Sequence, residues 1–139
     1  MASRRLSPVA RVLVISLSDL GRDARVDRQI ESLSSDHEIL AAGFGAPRDG
    51  ITSIPLIETP RGSASWWWRR LAMELLRTVR ADLSAYRMQP GMSRWRIALS
   101  GVRPDLVIAN DMSAVPLAFE VAANAPVVID LHEYARAES

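Results

Sequence analysis

The chain has 139 residues, 48% apolar and 24% charged, a balance that suits one globular domain, and at this length folding buries roughly two-thirds of the unfolded chain's surface. It has no cysteine, which excludes a disulfide framework and a thiolate metal site, and its net charge of +1 gives no general attraction to nucleic acid. All 17 basic residues are arginine, and they are segregated: nine lie between positions 61 and 103 against two acids, while the other eight face fourteen.

Residues 10–17 (ARVLVISL) form a β-branched run that reads as a first strand rather than a signal peptide. A loop over residues 18–23 follows. Val26, Ile30 and Leu33, spaced four and three apart, predict a helix over 24–33, with Asp23 as its N-cap and Ser34-Ser35-Asp36 as its end. Residues 37–44 and 51–57 predict two further strands, and Pro55 places the second at an edge or bend. After a break at 59–65, a long helix is expected over 66–88, capped by Ser65. Its apolar stripe of Trp68, Ala72, Leu75, Val79, Leu83 and Tyr86 would face the sheet.

Gln89-Pro90-Gly91 breaks that helix, and a short one is expected over 95–101. Residues 106–109 (LVIA) and 127–129 (VVI) are apolar runs without polar alternation, as expected of strands buried on both faces. Between them lies a helix over 114–123, capped by Ser113 or Asp111, with Pro116 in its first turn. Strands alternating with helices predict an α/β, Rossmann-like domain: a three-layer parallel sheet flanked by helices. Residues 1–139 form a single domain on this reading. No window approaches the ~20 apolar residues of a membrane span, and cytoplasm is the expected compartment.

In an open parallel sheet, ligands bind outside the carboxyl ends of the strands. Three polar clusters fall there: Ser18, Asp19, Gly21, Arg22, Asp23 and Arg25 after the first strand, Asn110 and Asp111 after the fourth, and Asp130, His132 and Glu133 after the fifth. The first loop has a single glycine and no G-x-G-x-x-G, which argues against a dinucleotide site. It could dock an anionic or hydroxyl-rich ligand, or serve as solvated charge plus a helix cap. Asp130 and Glu133 could orient the imidazole of His132, the candidate catalytic group. His37, at the start of the second strand, lies at the opposite end of the sheet. Neither histidine has partners for a metal site, and none is expected.

Trp66, Trp67 and Trp68 with Arg69 and Arg70 open the long basic helix. They could lie on an anionic membrane surface, recognise a partner, or simply pack and solvate.

Three segments together resemble the N-terminal, acceptor-side domain of GT-B glycosyltransferases of glycosyltransferase family 4. They are residues 21–33 (GRDARVDRQIESL, with a D-x-R-V-x-R pattern), residues 103–118 (RPDLVIANDMSAVPLA) and residues 126–134 (PVVIDLHEY). The first loop departs from the pattern in carrying only Gly21 where many members carry a glycine pair. The resemblance implies transfer of a sugar from a nucleotide-sugar donor to a glycosyl acceptor, with retention at the anomeric carbon. It assigns His132 to the donor sugar and lines the acceptor cleft with the first loop. It also implies that a C-terminal donor-binding domain lies outside these residues, so that the chain alone is inactive. No cofactor is implied beyond the nucleotide-sugar as co-substrate, held mainly by that second domain, and the helical segment after the third strand can touch the inner face of a membrane. A module complete in itself, docking on a membrane or a protein through the Trp66–Arg87 helix, is the alternative.

Overall fold

The computed structural model describes residues 9–79 and 82–131; His132 and Glu133 lie outside the described residues. In chain order the elements are β1 (Arg11–Asp19), α1 (Ala24–Ser34), β2 (Glu38–Phe44), β3 (Thr52–Pro55), α2 (Ala64–Thr78), α3 (Asp82–Arg87), α4 (Met92–Leu99), β4 (Leu106–Asn110), a 3-10 turn (Met112–Ala114), α5 (Val115–Ala122) and β5 (Val127–Asp130). The five strands form one sheet in the order β3-β2-β1-β4-β5, and every pairing is parallel. This is the α/β, Rossmann-like fold that the alternation of apolar runs and helical periodicity implies.

The period of two along a strand divides the core between the two faces. Val12 and Val14 of β1, Ile39 and Ala41 of β2 and Ile108 of β4 pack with Val26 and Ile30 of α1. Leu13, Ile15, Leu40, Ala42, Val107 and Ala109 face the other way, against Met92, Trp95 and Leu99 of α4 and Val115, Leu117, Ala118 and Ala122 of α5. The central strand β1 is covered on both sides, with Val12 to Ile15 at most 1% exposed. At the amino end of the sheet, the Arg11 backbone amide donates to Asp105 (2.8 Å), and the Ala10 amide donates to His37 Nδ1 (3.2 Å). His37 is thus a structural acceptor at the end remote from the carboxyl tips.

Several local expectations are corrected. The long helix is two helices, α2 and α3, and α2 is capped by Ser63, whose side chain accepts from the Trp66 amide (3.2 Å), rather than by Ser65. Its expected buried stripe points outward: Trp68, Leu75 and Val79 are 73%, 61% and 71% exposed, and Met73 is its buried residue. The reason is competition for space. The sheet face that the stripe would cover is already filled by α4 and α5, and α2 contributes no residue to that core. The helix after the Pro90-Gly91 break starts three residues earlier than expected, at Met92. Finally, β5 is an edge strand with Val128 and Ile129 half-exposed, and α5 has no side-chain cap from Ser113 or Asp111, because the 3-10 turn leads into it directly.

These exposures give a paired prediction. Ile15→Ala should lower the free energy of unfolding by about 2–5 kcal/mol, because it empties part of a closed core. Leu75→Ala, although it lies on the strongest apolar periodicity of its segment, should change it by no more than about 0.5 kcal/mol. Urea denaturation of both variants decides between this packing and one in which α2 covers the sheet.

Candidate functional site

The strand order reverses at β1: the chain runs outward through β2 and β3, then returns to β4 on β1's other side. The loops leaving β1 and β4 therefore diverge and open a crevice at the carboxyl end, the usual ligand position in such sheets. The polar residues after these two strands meet in that crevice.

Asp23 builds the first part. With extended backbone, it caps α1 by accepting from the amides of Arg25 and Val26 (both 3.2 Å), and its other oxygen accepts from the Ser18 hydroxyl (3.0 Å). Ser18 is in turn 2.8 Å from the hydroxyl of Ser16. The tip of β1 is bulged, and the buried Gly43 of β2 permits its close approach: a Cβ there would lie 2.5 Å from the Ser16 carbonyl oxygen.

Arg25 crosses from α1 to the β4 tip. Its guanidinium nitrogens lie 3.5 and 3.2 Å from the two oxygens of Asp111, in fork-like geometry, and 4.0 Å from Asp23. Both side chains are more than two-thirds buried. Burial by itself lowers the pKa of this guanidinium. The hydrogen bond and charge of Asp111, with the charges of Asp130 and Asp23, outweigh that and hold it above the ordinary arginine value, so the cation is firmly retained.

Asp111 achieves this at a conformational cost. Its φ of 69° and ψ of 159° fall in a region that side chains other than glycine's rarely adopt, and such a residue typically stores ~1–3 kcal/mol. The backbone around it is tied on both sides: its amide donates to the Asp130 carbonyl (2.9 Å), and its own carbonyl accepts from the Ala114 amide (3.2 Å).

Asn110 is fully buried beneath the pair. Its Nδ2 donates to Gln29 Oε1 (3.1 Å) and, at 3.4 Å, to the Ile15 carbonyl, while its Oδ1 is buried without a hydrogen-bond partner. A buried amide oxygen left unpaired costs about 1–3 kcal/mol.

The structure thus brings Ser18, Asp23, Arg25, Asn110, Asp111 and Asp130 into one cluster. Asp19, Gly21 and Arg22 form a separate exposed turn, in which Asp19 accepts from the Gly21 amide (3.0 Å) and lies 3.6 Å from Arg22. No side-chain hydrogen bond or ion pair among the described residues joins Asp19 or Arg22 to the cluster. Ser16 and Gln29 also belong to the cluster, although their types alone did not single them out. Their spacings carry a signal: Ser16 precedes Ser18 by two on a strand, and Gln29 follows Arg25 by four on a helix.

Chemically, the cluster offers a retained cation flanked by carboxylates, with hydroxyls beside it. It can orient a polyhydroxylated or charged ligand. Comparison with protein-family models, with curated proteins and with solved structures returned no match.

The strain at Asp111 is testable. Asp111→Ala loses the pair with Arg25 and keeps the strained backbone; Asp111→Gly loses the same pair and relieves the strain. The glycine variant should therefore be the more stable by about 1–2 kcal/mol in chemical denaturation. Equal stabilities would place the residue in an ordinary conformation in solution.

Proposed function

We propose that this chain is one wall of a two-domain sugar-transferring enzyme of GT-B architecture, and within that class the acceptor-side domain of a retaining, family-4-like glycosyltransferase. The observation that supports this is the meeting of the three segments carrying the resemblance. Residues 21–33 are joined to residues 103–118 by the Arg25–Asp111 pair and by the Asn110–Gln29 hydrogen bond. The described part of the third segment, residues 126–131, joins through the Asp111 amide and the Asp130 carbonyl, and through the pairing of Asn110 with Asp130 in the β4–β5 register. Segments far apart in the chain thus form one surface at the carboxyl end of the sheet.

On this reading the cluster positions an acceptor whose hydroxyls meet Ser18, Asp23 and Asp111, and the buried Arg25 holds the carboxylates in place. By the resemblance, His132, two residues past the end of β5 in the chain, is the catalytic group for the donor sugar, with Asp130 and Glu133 as its neighbours in sequence. The nucleotide-sugar is a co-substrate, its diphosphate held by a donor-binding domain across the cleft. With that domain joined to the chain, sugar transfer from a nucleotide-sugar should be measurable as nucleoside diphosphate release. His132→Ala should lower its rate by about 100-fold or more. Undiminished transfer in that variant would remove the histidine from the reaction.

A second reading, docking on a membrane or a partner through α2, is favoured by one specific observation. Trp67, Trp68, Leu71, Leu75 and Val79 are 52–73% exposed on a helix that also carries Arg69, Arg70 and Arg77. No helix among the described residues is long and apolar enough to cross a membrane, so this contact would lie in the interface plane, with indoles at headgroup depth and guanidinium groups on anionic lipid. The chain should co-sediment with phosphatidylserine-containing vesicles at low salt and dissociate as salt rises. Replacing Trp67 and Trp68 by Ala should abolish the association; co-sedimentation indifferent to salt and to those residues would exclude this mode.

A further inference from the structure

Beside the Arg25–Asp111 cluster, on the opposite face of the sheet, lies a cleft of about 250 Å³ between α2, α4 and the carboxyl tips of β1 and β2. It sits just below the ~300 Å³ at which pockets for drug-sized ligands begin, so its ligand is small. Trp66 and Trp95 supply aromatic walls, and Arg61 and Arg70 stand at it with one acid, Glu58, so the lining is net positive.

The cleft is held in shape from three directions. The Trp95 indole N–H donates to the Ile57 carbonyl (3.0 Å), fixing one wall to the segment after β3. Arg69 donates to the Ser93 hydroxyl (2.9 Å), tying α2 to α4. Gln89, only 9% exposed, donates from Nε2 to the Ser113 carbonyl (2.6 Å). A polar side chain so deeply buried at a cleft wall needs a structural or a ligand-binding reason. Here it joins the cleft to the same turn that carries Asp111.

The triple tryptophan run is divided by this arrangement. Trp66 turns inward to the cleft, stacked edge-to-face with Trp67 (ring centroids 5.0 Å apart), while Trp67 and Trp68 face outward.

We infer that this cleft binds a small sugar carrying an anionic group, a phosphate ester or a carboxylate. An indole face offers an apolar wall to the carbon face of a sugar ring. Arg61, in the turn before α2, and Arg70, on α2 and also 3.4 Å from Glu74, match the planar, bidentate demand of phosphate or carboxylate. None of Ser18, Asp23 and Asp111 lines this cleft, and binding there requires neither donor nor second domain, so the inference stands or falls separately from the proposed function.

The test is titration of the ¹⁵N-labelled chain with glucose 6-phosphate, glucuronate, glucose and inorganic phosphate, following the indole N–H signals. Trp66→Phe assigns the Trp66 signal. At least one of the two anionic sugars should shift that signal saturably, and which one does so distinguishes phosphate from carboxylate. Glucose and inorganic phosphate should each bind at least about tenfold more weakly, because each lacks half of the recognised chemistry. Arg61→Gln and Arg70→Gln, both at exposed positions, should keep the melting temperature and weaken binding about tenfold each. Glucose binding as tightly as the anionic sugars, affinity unchanged in both arginine variants, inorganic phosphate binding as tightly as the anionic sugars, or no shift with any probe would each overturn the inference.

Discussion

Two parallel strands that end side by side on β1 and β4 must place two sets of polar residues in the same crevice, and the Arg25–Asp111 pair is what lets them coexist there. Asp23, Asp111 and Asp130 would otherwise set three like charges against one another at the mouth of the sheet. One guanidinium, reached from the first turn of α1, offsets them. Its placement depends on Asp23 capping that helix and on Asp111 accepting a backbone conformation that few side chains tolerate. Asn110, with one amide oxygen unpaired in the interior, adds a second local cost directly beneath. Strain and an unsatisfied buried group thus coincide at one strand tip, at the point where the sheet order reverses.

The helical layers are unequal in a way that bears on function. α1, α4 and α5 supply the apolar contacts that close the two faces of the sheet. α2 supplies little of that packing and instead presents indoles, leucines and arginines outward, while one of its tryptophans turns into the cleft. An element freed from covering the core can vary its surface chemistry without unfolding the domain, and the arginine surplus of the chain is concentrated around it. The carboxyl end of the sheet thus has two adjoining polar regions. One is cationic at its centre and ringed by carboxylates; the other is aromatic and net positive. The turn over residues 111–113 connects them.

Much of this was legible in the amino-acid order. The apolar runs at 10–17, 37–44 and 106–109 declare strands because a strand covered on both faces has no need of alternation, and Pro55 declares an edge because it cannot donate to a neighbour. Asp23 as a cap follows from its side chain and from the periodicity that starts after it. The polar tips at Ser18–Arg25 and Asn110–Asp111 follow from where the apolar runs stop. What the order of residues could not supply was which stripe of α2 would be buried. Periodicity reports that a helix has an apolar face; it does not report whether another helix has already taken the place that face would occupy.

The partnership of Arg25 with Asp111, across 86 positions of chain, was likewise decided only in three dimensions, by the register that sets β1 beside β4. So was the separation of Asp19 and Arg22 from Asp23 and Arg25, neighbours in sequence that the loop's geometry sends to different surroundings. Local propensity and pattern act over a few residues and therefore determine elements, caps and breaks. Which side chains face one another, and which apolar faces stay uncovered, depends on how elements compete for the two faces of one sheet, and only the packed structure resolves that competition.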